Sequence, residues 1–175
     1  MDRYNLFPGW FNHIKNFKNN KKEVSIPELS LYLKQKECFE KHLKYNYDYI
    51  LILEDDIILP DNFLKYINQC VFEFKNHIPK LDCLMVGTCC GFASENIEKD
   101  KLVYYNPTYL TRCAHAILYS LEASKKIYKN LYPVNWPIDF KLNEIIIQEN
   151  LKVGWVEPPL QQASHLKLDK STIQL

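Results

Sequence analysis

The segment Tyr49–Ile57, with the sequence YILILEDDI, places three consecutive acidic residues directly after five apolar ones. Five such residues without polar alternation are typical of a strand that is buried on both faces of a sheet. In open α/β sheets, ligands bind beyond the carboxyl ends of the strands. The sequence therefore predicts that the acidic triplet Glu54–Asp56 lies at the ligand-binding edge of an α/β sheet.

Helix and strand patterns alternate along the rest of the chain. The predicted helices are Ser25–Lys44, one that begins at Asp61, one that begins at Ser120 and is stopped by Pro133, and Pro137–Glu149. The further predicted strands are Cys83–Cys89, Leu102–Tyr105, Cys113–Tyr119 and Val153–Val156, with irregular chain from Pro158 onward. This alternation predicts an α/β fold with a mixed, mostly parallel sheet and flanking helices. We expect one domain over residues 1–175, with an irregular segment at 1–24 and a closing segment at 158–175.

Composition and charge exclude several classes of protein. The 175 residues are 47% hydrophobic and carry a formal net charge of +1, which gives no electrostatic basis for binding nucleic acid. We see no signal peptide and no apolar run near the ~20 residues of a membrane span, so we expect a cytoplasmic protein. The six cysteines form no C-x-x-C pair, which disfavours a zinc site and favours reduced thiols.

The acidic triplet suggests a divalent cation. Side chains alternate along extended backbone, so Glu54 and Asp56 point to one side and Asp55 to the other. Carboxylates on one side repel each other, and Mg²⁺ or Mn²⁺ relieves that repulsion. The alternative is that the acids cap the next helix, but Asp61 is placed to do so. Sugar transfer, phosphotransfer and phosphate-ester hydrolysis all use such carboxylates, so the triplet alone does not name the reaction.

Five segments, in this order and spacing, resemble glycosyltransferase family 25, which includes lipooligosaccharide and procollagen galactosyltransferases. They are Glu28–Lys34 (ELSLYLK), Tyr49–Ile57, Ala114–Lys126 (AHAILYSLEASKK), Pro137–Asp139 and Pro158–Ser164 (PPLQQAS). The resemblance implies a GT-A-like (Rossmann-like) fold, a UDP-hexose donor and an Mn²⁺ (or Mg²⁺) cofactor. It also implies inverting transfer of galactose or glucose to a glycan or hydroxylysine-type acceptor.

The sequence departs from the family pattern in two respects, and the resemblance assigns roles to four residues. Residues 1–24 are shorter than the N-terminal strand–helix unit usual in the family, and Gln35 stands where a His is often found. The resemblance implies that Glu54 and Asp56 bind the metal and that Asp55 contacts the ribose or a metal-bound water. It also implies that a late histidine, His165, completes the metal site; the alternative is a solvated tail histidine.

Two more residues are candidates for the site. Asp139, in the Pro-x-Asp element, is expected to bind the acceptor or act as general base; the alternative is a carboxylate favoured by the helix dipole. Gly87 would let backbone approach the donor, although turn geometry explains it equally well. His115 and Trp155 are expected to fill the core, and Arg112 is a possible phosphate contact.

Two other functions stay open at this point. One is a degenerate, non-catalytic sugar- or protein-binding domain of the same fold. The other is a carboxylate–metal phosphohydrolase.

Overall fold

The computed structural model describes residues 24–87, 98, 100–106 and 113–163. Four helices lie in these ranges: α1 (Ile26–Tyr45), α2 (Phe63–Asn76), α3 (Leu121–Asn130) and α4 (Ile138–Gln148). Six strands accompany them: β1 (Tyr49–Leu53), β2 (Ile57–Ile58), β3 (Cys83–Gly87), β4 (Val103–Asn106), β5 (Ala116–Ser120) and β6 (Val153–Gln162). The predicted α/β class is confirmed.

The strands form one sheet in the order β1-β5-β3-β6-β2, and β4 also pairs with β6. Only the β3–β6 pair is parallel, and the other four pairs are antiparallel. The prediction of a mostly parallel sheet is therefore wrong. A buried strand shows the same apolar run in either direction, so the sequence did not reveal that β5 runs antiparallel between β1 and β3.

Two apolar cores flank the sheet. One lies between the sheet and helices α1, α3 and α4, and it includes Phe39, Tyr119 and Leu142. The other lies on the opposite face under α2, where Cys70 and Phe74 pack on the sheet. Fully burying a large apolar side chain contributes roughly 1.5–3 kcal/mol, so these two layers hold the sheet edge in a fixed shape.

Two of the four helix starts, those of α1 and α3, have a side-chain cap, whereas α2 and α4 have none. Ser25 and Glu28 form a complete capping box at α1, and the Ser120 hydroxyl accepts a hydrogen bond from the Ala123 N–H at α3. Helix α2 begins at Phe63 after Asn62, with no side-chain cap. The prediction that Asp61 caps this helix is therefore wrong, because Asn62 occupies the N-cap position.

Strand β6 is longer than predicted. We expected irregular chain from Pro158, but β6 continues to Gln162 and pairs there with β2. The two prolines at 158 and 159 fall at a register shift between β3 and β6, where the ladder does not need their missing N–H groups. The closing segment is therefore part of the sheet up to Gln162.

The cysteines differ from expectation at one position. Cys38, Cys70 and Cys83 are free thiols, as predicted, but Cys113 is disulfide-bonded. The prediction of thiols throughout is wrong at Cys113, because spacing in sequence does not show which sulfur atoms the fold brings together. Within the described ranges, no helix has the length and apolar character needed to cross a membrane.

Candidate active site

The acidic triplet lies where three strands end at one edge of the sheet. Strands β1, β3 and β6 run in the same direction, and Glu54 follows β1 directly. The N–H of Glu54 donates to the carbonyl oxygen of His115 at 2.8 Å, just before β5 begins. Ala116, the first residue of β5, is in register with both Leu53 and Gly87. This edge is therefore fixed by main-chain pairing on both sides.

One amide group joins two of the predicted metal ligands. The Gln162 Nε2 lies 3.3 Å from Glu54 Oε2 and 3.2 Å from Asp56 Oδ1. The N–H of Ala163 also donates to the Asp56 carbonyl oxygen at 2.9 Å. The structure thus places the Glu54 and Asp56 carboxylates on one side, and it leaves Asp55 exposed on the turn between them.

The site concentrates negative charge. Burial, together with the nearby carboxylates of Asp56, Asp139 and Asp55, raises the pKa of Glu54 to about 7. The fold therefore brings Asp139, which is remote in sequence, within electrostatic range of the triplet. Such crowding of carboxylates with a raised pKa is characteristic of functional sites.

Asp139 lies in the first turn of α4, two residues after Pro137. It is half-buried, and its Oδ1 accepts a hydrogen bond from the Phe140 N–H at 2.9 Å. This position suits a carboxylate stabilised by the helix dipole, and it also faces the charge of Glu54. Its role in acceptor binding or as a base stays a prediction.

Gly87 and His115 share a space at the same edge. A Cβ atom at Gly87 would lie 2.6 Å from His115 Nε2 and 2.9 Å from the Ala116 Cβ. The ring of His115 therefore occupies the space that a side chain at Gly87 would need. His115 is fully buried and Trp155 is 3% exposed, so both fill the core as expected. A role for Gly87 in donor binding stays a prediction.

The acidic edge offers the carboxylates of Glu54 and Asp56 to a divalent cation. In the part of the chain that the structure describes, no group of three or more His, Cys, Asp or Glu side chains is placed to hold a metal. The oxygen donors of Glu54 and Asp56 fit Mg²⁺ or Mn²⁺, which commonly bind through one or two carboxylates and keep waters and substrate phosphates. His165, the third predicted ligand, and Arg112 lie outside the described residues.

Sequence reasoning missed Gln162. The residue stands in the closing segment that we expected to be irregular, so no side-chain direction was assigned to it. The only available signal was the resemblance of Pro158–Ser164 to the closing segment of a known family. Its contact with the triplet, across more than 100 residues of chain, depends on the pairing of β2 with β6.

The chain matches the model of a known protein family. The model of glycosyltransferase family 25, described as an LPS biosynthesis protein, matches residues 9–142. This range is well over half of the chain and includes the acidic triplet and Asp139. It also extends into residues 9–24, ahead of the segments in which the resemblance was noted. No curated protein matches the chain. The chain belongs to glycosyltransferase family 25.

Proposed function

We propose that this protein is a metal-dependent glycosyltransferase that moves galactose or glucose from a UDP-hexose to a glycan or hydroxylysine-type acceptor, with inversion. The observation that carries the proposal is the pairing of Glu54 and Asp56 at the sheet edge of a family 25 member. A GT-A-like arrangement of the nucleotide site is part of the proposal. Family membership also favours sugar transfer over the phosphohydrolase alternative.

The chemistry proposed for this edge of the sheet is neutralisation of the negative charge on the departing UDP. Glu54 and Asp56 would hold Mn²⁺ or Mg²⁺, which supplies the positive charge that a departing UDP requires. Asp55, which is exposed on the turn, would contact the ribose or a metal-bound water. His165 would add an imidazole, and Gly87 would admit the donor close to the backbone.

Asp139 is proposed as the acceptor's base. Inverting transfer needs a carboxylate that takes the proton of the acceptor hydroxyl as the new bond forms. Asp139 lies in the first turn of α4, where a carboxylate interacts favourably with the helix dipole. Its electrostatic coupling to Glu54 supports a place beside the donor site.

The second candidate is a non-catalytic sugar- or protein-binding domain. One observation favours it: in the described ranges, no third His, Cys, Asp or Glu joins Glu54 and Asp56 in a metal-binding group. A domain of this kind would keep the fold and bind its partner without turning over a donor.

Release of UDP separates the two candidates. The purified protein is incubated with UDP-galactose or UDP-glucose, with Mn²⁺ or with EDTA, and free UDP is measured over hours. The proposal predicts slow release that requires Mn²⁺ and that favours one of the two sugars. Equal background release with Mn²⁺ and with EDTA, for both donors, would contradict it and favour the binding domain.

A further inference from the structure

Gln162 is connected to the acidic turn in three ways. Its Nε2 contacts Glu54 Oε2 and Asp56 Oδ1, at 3.3 and 3.2 Å. Its backbone is in register with Ile57, the residue after the triplet, in the β2–β6 pair. The next residue, Ala163, donates its N–H to the Asp56 carbonyl oxygen at 2.9 Å. The side chain is therefore aimed at the carboxylates by strand pairing.

The contact is chemically specific. An amide NH₂ group has two protons and no charge, so it can donate one proton to each of two carboxylates. It thereby holds together two groups that repel each other, and it does not neutralise them as Lys or Arg would. The pair keeps its negative charge and its fixed spacing, and both are needed to bind a divalent cation.

The neighbouring Gln161 provides a contrast within the same strand. Successive side chains of a strand point to opposite faces. Gln161 is exposed, and it is in register with Ile58, one residue farther from the triplet. The two glutamines thus have the same chemistry and nearly the same backbone, and only Gln162 reaches the carboxylates.

We propose that Gln162 is a positioning residue, which sets the mutual placement of the Glu54 and Asp56 carboxylates so that they can bind a divalent cation together. The inference rests on the proposed function, because it concerns the same two carboxylates. It goes beyond it by assigning a role to a neutral residue on β6. Groups that orient metal ligands typically change metal affinity 10–100-fold when they are removed.

The first test is Mn²⁺ binding, measured by calorimetry on the metal-free protein and on three variants. Gln162→Ala is expected to weaken binding by about 10–100-fold. Gln162→Asn is expected to weaken it also, because its amide is one methylene short of the two oxygens. Gln161→Ala, the matched control, is expected to bind as the wild type does. Wild-type affinity in Gln162→Ala, with the fold intact by circular dichroism, would overturn the proposal.

The second test needs no metal and separates this inference from the proposed function. Hydrogen exchange is measured at the Ala163 amide, which donates to Asp56, and at the Leu118 amide in the sheet interior. Gln162→Ala is expected to speed exchange at Ala163 by about 10-fold or more and to leave Leu118 unchanged, because loosening the turn opens the site locally. Gln161→Ala should change neither.

The two tests fail independently. If the wild type binds no Mn²⁺, the metal dependence in the proposed function fails, and exchange alone decides whether Gln162 holds the turn. Unchanged exchange at Ala163 in Gln162→Ala would then overturn the positioning role. Accelerated exchange would support it.

Discussion

The two ends of β1 carry polar groups with opposite character. At its start, His42 of α1 is 1% exposed and bonds on both sides of its ring. Nε2 donates to the Tyr47 carbonyl oxygen at 2.8 Å, since a carbonyl can only accept, and Nδ1 therefore accepts from the Ser124 hydroxyl at 2.8 Å. Each donor meets an acceptor, so this end connects α1 to α3 without conflict.

At the far end of β1, like charges meet. Glu54 and Asp56 share one amide donor, and Asp139 adds a third carboxylate within electrostatic range. A fold selected only for stability would pair these groups as it pairs His42. The contrast indicates that the first end serves stability and that the second has a functional reason to keep its charge.

The largest effect that the comparison predicts is on turnover. Asp56→Asn removes one of the two proposed metal ligands, and Mn²⁺-dependent release of UDP from the donor should fall by about 10²-fold or more. The free energy of unfolding should stay the same or rise, because a repulsion is lost. Asp61→Asn, an exposed position beyond the site, is the control. Unchanged donor hydrolysis in Asp56→Asn would contradict the assignment.

The second prediction is that the stability of the fold depends on pH because of Glu54. Its folded pKa, about 7, is above the ordinary value of 4.5, so the folded state binds a proton more tightly than the unfolded state between these values. Stability therefore falls as the pH rises from 4.5 to 7 and stays low above it. Glu54→Gln should remove this loss and raise the free energy of unfolding by about 2 kcal/mol at pH 8, allowing for solvent screening at a half-buried site.

Urea denaturation at pH 5 and pH 8 measures this effect. The gain from Glu54→Gln should be small at pH 5 and large at pH 8. A gain that is equal at both pH values would show that charge crowding at this end is not its source.

The third prediction is a pH dependence of stability that is due to His42 and has the opposite sign to that of Glu54. Burial lowers the pKa of His42, and the hydrogen bond to the Tyr47 carbonyl opposes that shift only in part. Just below pH 6.5, the unfolded state therefore binds more protons than the folded state. The contribution of His42 to stability is complete above the pKa of the unfolded state, and it is lost as the pH falls through the lower pKa of the folded state. In the Glu54→Gln background, unfolding measured from pH 7.5 down to 5 should show this loss alone. A flat profile there would contradict a buried neutral His42.

The smallest effect concerns the hydroxyl partner of that histidine. Ser124→Ala leaves the buried Nδ1 of His42 without its donor, which should cost about 1 kcal/mol of unfolding free energy at pH 7.5. UDP release per folded molecule should not change, because the substitution lies at the other end of β1. A loss of turnover beyond the loss of folded protein would mean that the two ends are coupled.

The fold was predictable where local patterns decide it. The apolar run of β1 and the helix starts at Ser25 and Ser120 were all visible in the sequence. The buried face of α1 was not, because it includes Gln35 and His42 beside Phe39, and apolar periodicity does not identify buried polar residues. Strand direction also depends on tertiary pairing, which is why the sheet was wrongly expected to be mostly parallel.

The site was predictable only as far as neighbours in sequence reach. Side-chain alternation put Glu54 and Asp56 on one side, which is where the Gln162 amide meets both. The resemblance to the family, and not geometry, singled out Asp139. Nothing local pointed to Gln162, since its place depends on a two-residue strand, β2, that was too short to recognise.

The most direct test of the central claim is calorimetric binding of UDP with and without Mn²⁺, on the wild type and on Asp56→Asn. If the crowded end of β1 is a metal and nucleotide site, the wild type binds UDP only when Mn²⁺ is present, and Asp56→Asn loses that heat while it keeps the wild-type fold. If the wild type binds UDP equally well with EDTA, or binds it under neither condition, the charge at this edge does not serve a metal-dependent transferase.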